Sequence, residues 1–117
     1  MTNPQSARIR ELNDQFRKTG LGGDINFTRG IIDLPGLLML RIAESVQNFD
    51  AFTAGNDPHG EHDFGSFIIE GHKVFWKIDY YSLDQNGELD FDAGHSQDPS
   101  DPAKTARVLT IMLADEY

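Results

Sequence analysis

The chain contains no cysteine among its 117 residues. Disulfide bonds, thiolate zinc sites and a cysteine nucleophile are therefore excluded, and the absence fits a reducing compartment. No apolar run approaches the roughly 20 residues that a membrane-spanning helix needs, and residues 1–10 lack the apolar core of a signal peptide. A chain of this length forms about one domain. We therefore expect a single domain, residues 1–117, in the cytoplasm.

Basic residues are scarce in the middle of the chain. Residues 50–101 carry twelve acids but only two bases, Lys73 and Lys77, and the whole chain has a net charge of -9. A negative field of this kind disfavours binding to nucleic-acid phosphates and attracts cations or basic protein surfaces. The charge therefore predicts either a basic protein partner or a surface whose acids only keep the protein soluble.

Several familiar motifs are also missing. The chain has no P-loop, no Gly-rich dinucleotide fingerprint and no G-x-S-x-G motif. Residues 84–92 superficially resemble a calcium-binding EF-hand loop, but the sixth position holds Leu89 instead of glycine and the twelfth holds His95 instead of glutamate. We therefore interpret residues 84–92 as a hairpin with acidic edges.

Apolar periodicity and turn residues predict an α+β fold. We expect a small antiparallel sheet of about three to four strands, with helices packed mainly on one face, in the order α-β-α-β-β-β-α. The predicted strands cover residues 24–32, 64–70, 73–81 and 88–92, and the predicted helices run from Asn3-Pro4 to Gly20, from Pro35 to about Phe49, and from Asp101-Pro102 through Val108, Leu109, Met112 and Leu113. Gly71-His72 is expected to form a type II′ turn, and Asn86-Gly87 a type I′ turn.

The predicted strand at residues 73–81 has two chemically distinct faces, because successive side chains of a strand point to opposite sides. The face expected to lie on the core carries Val74, Trp76, Ile78 and Tyr80. The other face mixes aromatic and charged side chains, namely Phe75, Lys77, Asp79 and Tyr81. This second face is either solvated or lines a site.

Residues 56–65, with the sequence NDPHGEHDFG, are rich in ionisable groups and fall between a predicted helix and a predicted strand. Loops that a scaffold holds in place are frequent positions for functional residues. His59, His62 and Asp63 are candidate metal ligands, since imidazole and carboxylate groups suit zinc or manganese.

A metal site would need a further ligand, for which Asp79 and His95 are the candidates. The alternative is that Asp57 starts a turn and the two imidazoles of the loop only bind backbone groups. Both interpretations remain open at the level of the sequence.

Proton transfer is a second candidate chemistry for the same loop. Lys77, Asp79 and Tyr81 share one strand face and would meet His59 or His62 if the loop folds over that face. A histidine beside an aspartate is oriented for proton transfer, which makes His59, His62 and Asp79 candidate catalytic residues. The alternative is that Lys77 and Asp79 belong to the solvated face of a half-buried strand.

Four segments of the chain together resemble one known family. They are RIRELNDQF at residues 8–16, NDPHGEHDFG at 56–65, FWKIDYY at 75–81 and RVLTIMLADEY at 107–117. On these segments the chain resembles an uncharacterised bacterial family, domain of unknown function 3768. The resemblance implies a bacterial protein, in many cases one carried on a plasmid or other mobile element. It implies no activity and no catalytic residue.

We expect a binding or regulatory module that acts on a basic protein partner and binds neither nucleic acid nor membrane. The candidate binding residues are Asp57, Glu61, Asp63, Lys77 and Tyr81. In its most specific form this hypothesis describes an anti-restriction or anti-CRISPR inhibitor, whose acids imitate a phosphate backbone beside exposed aromatic residues such as Phe52, Tyr81 and Phe91. Complementary charge would make such binding fast and sensitive to salt.

Two other hypotheses remain. The first is a small metal-dependent hydrolase built on His59, His62 and Asp63, with Asp79 in support. The second is a purely structural domain without a site of its own. The hydrolase requires that the two histidines converge, which is a question of tertiary structure.

Overall fold

The structure, a computed structural model, describes residues 4–117. Its elements are α1 (Pro4–Thr19), β1 (Gly23–Phe27), α2 (Arg29–Ile32), α3 (Gly36–Gln47), β2 (Phe64–Ile69), β3 (His72–Ser82), β4 (Thr105–Leu113) and a 3-10 helix (Ala114–Glu116). The predicted cap residue Asn3 lies outside the described residues. Gly20 ends α1 as predicted, since it has a φ of 76° and its N–H donates to the Phe16 carbonyl at 2.8 Å.

The four strands form one sheet in the order β1-β4-β3-β2. β3 is antiparallel to both of its neighbours, whereas β1 runs parallel to β4. The predicted α+β class is therefore confirmed, and the sheet is mixed instead of purely antiparallel. The two edges of the sheet are β1 and β2.

The prediction of a last helix was wrong, because its residues form β4 in the middle of the sheet. Val108 and Leu109 are both buried although they point to opposite faces. A strand that is buried on both faces has a continuous apolar pattern that periodicity does not distinguish from a helix. Asp101 instead closes a turn, in which its carboxylate accepts the Ala103 N–H at 2.9 Å.

The predicted strand at residues 88–92 was also wrong. Only one isolated bridge joins this segment to the end of β3, between Leu83 and Leu89. The Asp84 carboxylate accepts the N–H groups of Asn86 and Glu88 at 2.8 and 2.9 Å. Bonds of this local kind compete with strand pairing. Gly87 has a positive φ and Asn86 does not, so the turn is not of type I′.

Two further boundaries differ from the prediction. The hairpin between β2 and β3 turns at Glu70-Gly71, whose φ angles of 47° and 82° are those of a type I′ turn, and His72 already belongs to β3. The strand predicted at residues 24–32 stops at Phe27. It stops there because the carbonyl of Thr28 accepts N–H groups of the short helix α2.

The core lies between the helices and one face of the sheet. As predicted, the core face of β3 carries Val74, Trp76, Ile78 and Tyr80, each at most 6% exposed. They pack with Leu109 and Ile111 of β4 and with Ile9, Phe16, Ile42 and Val46 of the helices. On the opposite face of β3, Lys77 Nζ lies 3.2 Å from Asp79 Oδ2. Among residues 4–117, no helix is both long and apolar enough to cross a membrane.

Candidate functional site

His62 lies between two carboxylates in the loop of residues 48–63, which we call the histidine loop. Its Nδ1 is 2.9 and 3.1 Å from the carboxylate oxygens of Asp14 on α1. Its Nε2 is 3.5 Å from Oδ2 of Asp57, and its backbone N–H donates to Oδ1 of the same residue at 3.1 Å. Asp57 therefore fixes both the backbone and the ring of His62, and Asp14 joins the ring to α1.

Aromatic packing fixes the imidazole of His62 from a third direction. The Phe52 ring stacks on it in parallel, with 3.7 Å between centroids. Phe52 in turn contacts Phe49 and Trp76 edge to face. Phe52 is therefore a support for the loop and not the exposed aromatic residue that the sequence predicted.

Arg17 anchors both the histidine loop and the end of α3. It is 1% exposed, and its Nη1 donates to the carbonyls of Val46, Gln47 and Phe49 at 2.8, 3.2 and 2.9 Å. These carbonyls lie at the C-terminal end of a helix, where a cation is favourable. Its Nη2 donates to Asp14 at 3.1 Å. A cleft of about 360 Å³ beside this group is lined by Asp14, Arg17, Lys18 and His62.

A buried polar cluster ties the histidine loop to the sheet. The amide nitrogen of Asn13 donates to the Tyr80 hydroxyl at 2.8 Å and to the Glu61 carbonyl at 3.0 Å. Arg107 donates to the Asn13 carbonyl oxygen at 2.8 Å, and Tyr80 donates to the Glu61 carboxylate at 2.9 Å. Burial raises the pKa of the Tyr80 hydroxyl far above its ordinary value and lowers the pKa of Arg107. Tyr80 is therefore a neutral hydrogen-bond donor.

Asp63 lies where the histidine loop joins β2, close to other acids. Burial, followed by the negative charge of Glu61, raises the pKa of the Asp63 carboxyl above 3.8. Its carbonyl accepts the Ile78 N–H at 2.8 Å. The environment of Asp63 therefore disfavours its charged form.

The structure does not assemble the metal site that the sequence suggested. Within residues 4–117, no three His, Asp or Glu side chains are grouped so that they could hold a metal ion. His59 is exposed, and the ring nitrogens of His62 face Asp14 and Asp57. The donor set therefore does not fit zinc or manganese at His59, His62 and Asp63.

The proposed acid–base group is likewise not brought together. Lys77, Asp79 and Tyr81 lie on the face of β3 opposite to the core, whereas the histidine loop contacts Tyr80 on the core face. Two aspartates contact His62, namely Asp57 and Asp14, and the sequence did not indicate Asp14.

One feature of the sequence indicates a buried polar contact on α1, close to Asp14. Asn13 is a polar residue on the apolar stripe of the helix, four residues after Ile9 and three before Phe16. A polar side chain on such a stripe needs a buried partner. The pattern could therefore indicate a buried polar contact on α1, although not its partner.

The twelve acids of residues 50–101 fall into four groups. Asp57, Glu61 and Asp63 are partly buried in the histidine loop, and Glu70 and Asp79 pair with Arg41 and Lys77. Four others accept nearby backbone N–H groups, namely Asp84, Asp90, Asp98 and Asp101. Asp50, Glu88 and Asp92 are exposed. Only a minority of the acids is therefore presented freely at the surface.

A second cleft, of about 580 Å³, lies beside the edge strand β1. We call it the β1 cleft. Its lining combines two carboxylates and one amide with apolar side chains, and no basic residue of the described range 4–117 lines it. The lining residues are Asp24, Ile25, Asn26, Glu88, Leu89, Phe91 and Val108. Phe91 is 64% exposed and packs edge to face on Tyr81, with 4.8 Å between centroids. The β1 cleft thus presents negative charge beside an exposed aromatic ring.

Comparison with protein families identifies the family of this chain. Residues 27–116 match a family described as "Protein of unknown function (DUF3768)". The match includes the loop at 56–65 and the strand at 75–81 that carried the predicted resemblance, whereas residues 8–16 precede it. No curated protein and no solved structure matches the chain.

Proposed function

The chain belongs to the DUF3768 family, for which no function is described, and we propose that it is a binding module for a basic segment of a partner protein. The observation that carries the proposal is the β1 cleft, where Asp24 and Glu88 lie beside the exposed ring of Phe91. Carboxylates attract lysine and arginine, and an aromatic surface packs against their aliphatic stems and cationic heads. The partner is therefore expected to be both basic and partly apolar.

This proposal moves the binding residues away from those that the sequence favoured. Asp57 and Glu61 bind other residues of the fold, and Lys77 pairs with Asp79. Tyr81 keeps a supporting role, because it holds the ring of Phe91. The contact surface consists instead of Asp24, Glu88 and Phe91.

In the most specific form of this proposal, the partner is the DNA-binding surface of a restriction or CRISPR enzyme. The carboxylates of Asp24 and Glu88 would then occupy positions that phosphates take in the DNA complex. Duplex DNA would compete with this protein for such an enzyme, and the competition would weaken as salt rises. An assay of whether this protein inhibits such an enzyme, with and without excess DNA, tests this specific form of the proposal separately.

The general proposal is tested by selection from a random library of displayed twelve-residue peptides. We expect the enriched peptides to combine lysine or arginine with apolar residues and to bind more weakly as salt is raised. The double variant Asp24→Asn/Glu88→Gln should lose about tenfold in affinity, which corresponds to about 1.4 kcal/mol.

The matched control is the double variant Asp50→Asn/Glu44→Gln, which removes the same charge from exposed positions that do not line the β1 cleft. It should bind the selected peptides almost as well as the unmodified protein. Failure to enrich basic peptides would overturn the proposal. Equal losses in the two double variants would show that only net charge matters and would overturn the assignment to the β1 cleft.

A further inference from the structure

The proposed function leaves open how the basic segment is held. β1 lies at the edge of the sheet, and in the part of the chain that the structure describes it pairs with β4 alone. Gly23, Asp24, Ile25 and Asn26 are all exposed. An edge strand of this kind presents unpaired N–H and C=O groups that an extended segment of another protein can use. We propose that β1 binds the basic segment as an added β-strand, an inference that rests on the proposed function.

The hydrogen-bond pattern identifies which backbone groups of β1 are available. The N–H of Thr28, directly after β1, donates to the Ile111 carbonyl of β4 at 3.1 Å. Backbone groups alternate between the two sides of a strand, so those of Asp24 and Asn26 also point towards β4. The N–H and C=O groups of Ile25 and Phe27 point outward. These two residues would therefore pair with an added strand.

The side chains around this edge determine the sequence that the added strand needs. Asp24 lies on the same face of the sheet as Val108 and, with Glu88, gives that face its negative charge. Ile25 lies on the opposite face and is 39% exposed. Successive residues of the added strand would meet these two faces in turn. Basic residues alternating with apolar residues therefore fit, with the basic ones towards the β1 cleft.

Two alternatives fit the structure less well. The first is binding of the basic segment at the β2 edge, and the second is pairing of β1 with a second copy of the chain. On the β2 edge, the carboxylate of Glu70 already pairs with Arg41 at 2.8 Å, and the neighbouring strand carries Lys73 and Lys77. Pairing of β1 with β1 of a second copy would bring the carboxylates of both copies together, which is unfavourable. Charge complementarity therefore favours a basic segment of a different protein at β1.

The test uses a nine-residue peptide in which lysine alternates with valine, and residue-level hydrogen exchange of the full chain. We expect the saturating peptide to slow exchange of the Ile25 and Phe27 amides by at least about fivefold, because exchange requires the added strand to open. The amides of Asp24 and Asn26, which already face β4, should change less. The amides of β2 should not change.

A proline substitution provides an independent arm. Ile25→Pro removes an outward N–H and leaves the bonds to β4 intact, which edge strands tolerate. It should weaken peptide binding at least about tenfold, whereas Ile25→Thr, with its similar β propensity, should bind nearly normally. Circular dichroism must show that both variants are folded. Loss of fold in Ile25→Pro leaves the exchange measurement as the deciding result.

The outcomes separate this inference from the proposed function. If the peptide bound in a salt-sensitive way but did not slow exchange of the Ile25 and Phe27 amides, the proposal of an added strand would be overturned and the proposal of a basic partner would stand. If a peptide with glutamate in place of lysine slowed exchange of the same amides, the proposal of charge recognition would be overturned and the added strand would stand. Protection of β2 amides, no peptide binding, or dimerisation of the free chain through β1 would overturn the inference.

Discussion

The two long loops of the molecule use their ionisable residues in opposite ways. In the histidine loop, His62 binds Asp14 on α1 and Glu61 accepts a bond from Tyr80 on β3, so the partners come from distant parts of the chain. In the loop of residues 83–104, which we call the acidic loop, Asp84 and Asp90 bind N–H groups at most four residues away. The ionisable residues of the histidine loop therefore join distant parts of the fold. Asp84 and Asp90 of the acidic loop instead bind nearby backbone groups, and other carboxylates of that loop stay at the surface.

The largest effect is expected from removal of the buried cation that holds the histidine loop. Arg17→Ala removes the donor that three carbonyls at the end of α3 share and frees Asp14 from its ion pair. Loss of one partner from a buried charged network costs about 3–5 kcal/mol. We therefore expect the urea midpoint of unfolding to fall sharply in Arg17→Ala.

The control is the next residue of the same helix. Lys18 is exposed, so Lys18→Ala should change the free energy of unfolding by less than about 0.5 kcal/mol. An equal effect of the two substitutions would show that Arg17 contributes only as a helix former, and the contrast between the loops would then lose its main support.

A smaller effect separates the two histidines of the same loop. His62→Ala removes the contacts with Asp14 and Asp57 and the stacking on Phe52, and should cost about 1–2 kcal/mol. His59 is exposed, so His59→Ala should fall within about 0.5 kcal/mol of the unmodified protein. Thermal and urea unfolding of the two variants measures the difference. Similar stability of both variants would show that His62 does not hold the loop.

The sequence predicted those parts of the fold that depend on local pattern. Alternation along β3 correctly placed Trp76 and Tyr80 on the core, because that strand has one core face and one mixed face. The apolar pattern of β4 instead predicted a helix, because both Val108 and Leu109 are buried. Burial on both faces is a consequence of the sheet order, which no short segment encodes.

The candidate site was predictable only as a region. The density of His and Asp marked residues 56–65 as special, and this loop does carry His62 and Asp57 in a bonded group. The partner Asp14 lies 48 residues away, so no spacing in the sequence connects them. The β1 cleft was missed for the same reason, because Asp24 and Glu88 meet only through the sheet and the acidic loop.

The smallest predicted effect concerns the pH dependence of stability in the two loops. In the histidine loop, burial and Glu61 raise the pKa of Asp63. In the acidic loop, the hydroxyl of Ser100, more than the other hydrogen bonds to it, lowers the pKa of Asp98. A raised carboxyl pKa means that the folded state binds the proton more tightly than the unfolded chain, so stability falls as pH rises through the folded pKa. A lowered pKa gives the opposite slope, and its stabilisation is lost as pH falls from the ordinary value of 3.8 through the folded pKa.

The two near-isosteric substitutions should therefore act with opposite sign at pH 7. Asp63→Asn should raise the urea midpoint because it removes a charge that the folded state disfavours, and this gain should shrink as pH falls towards 3.8. Asp98→Asn should lower the midpoint at pH 7, and its deficit should shrink only as pH falls below 3.8. Urea midpoints of the unmodified chain and both variants from pH 3 to pH 7 measure the two trends. If both substitutions shifted the midpoint in the same direction, the loops would not differ in how they hold their carboxylates, because opposite environments require opposite slopes.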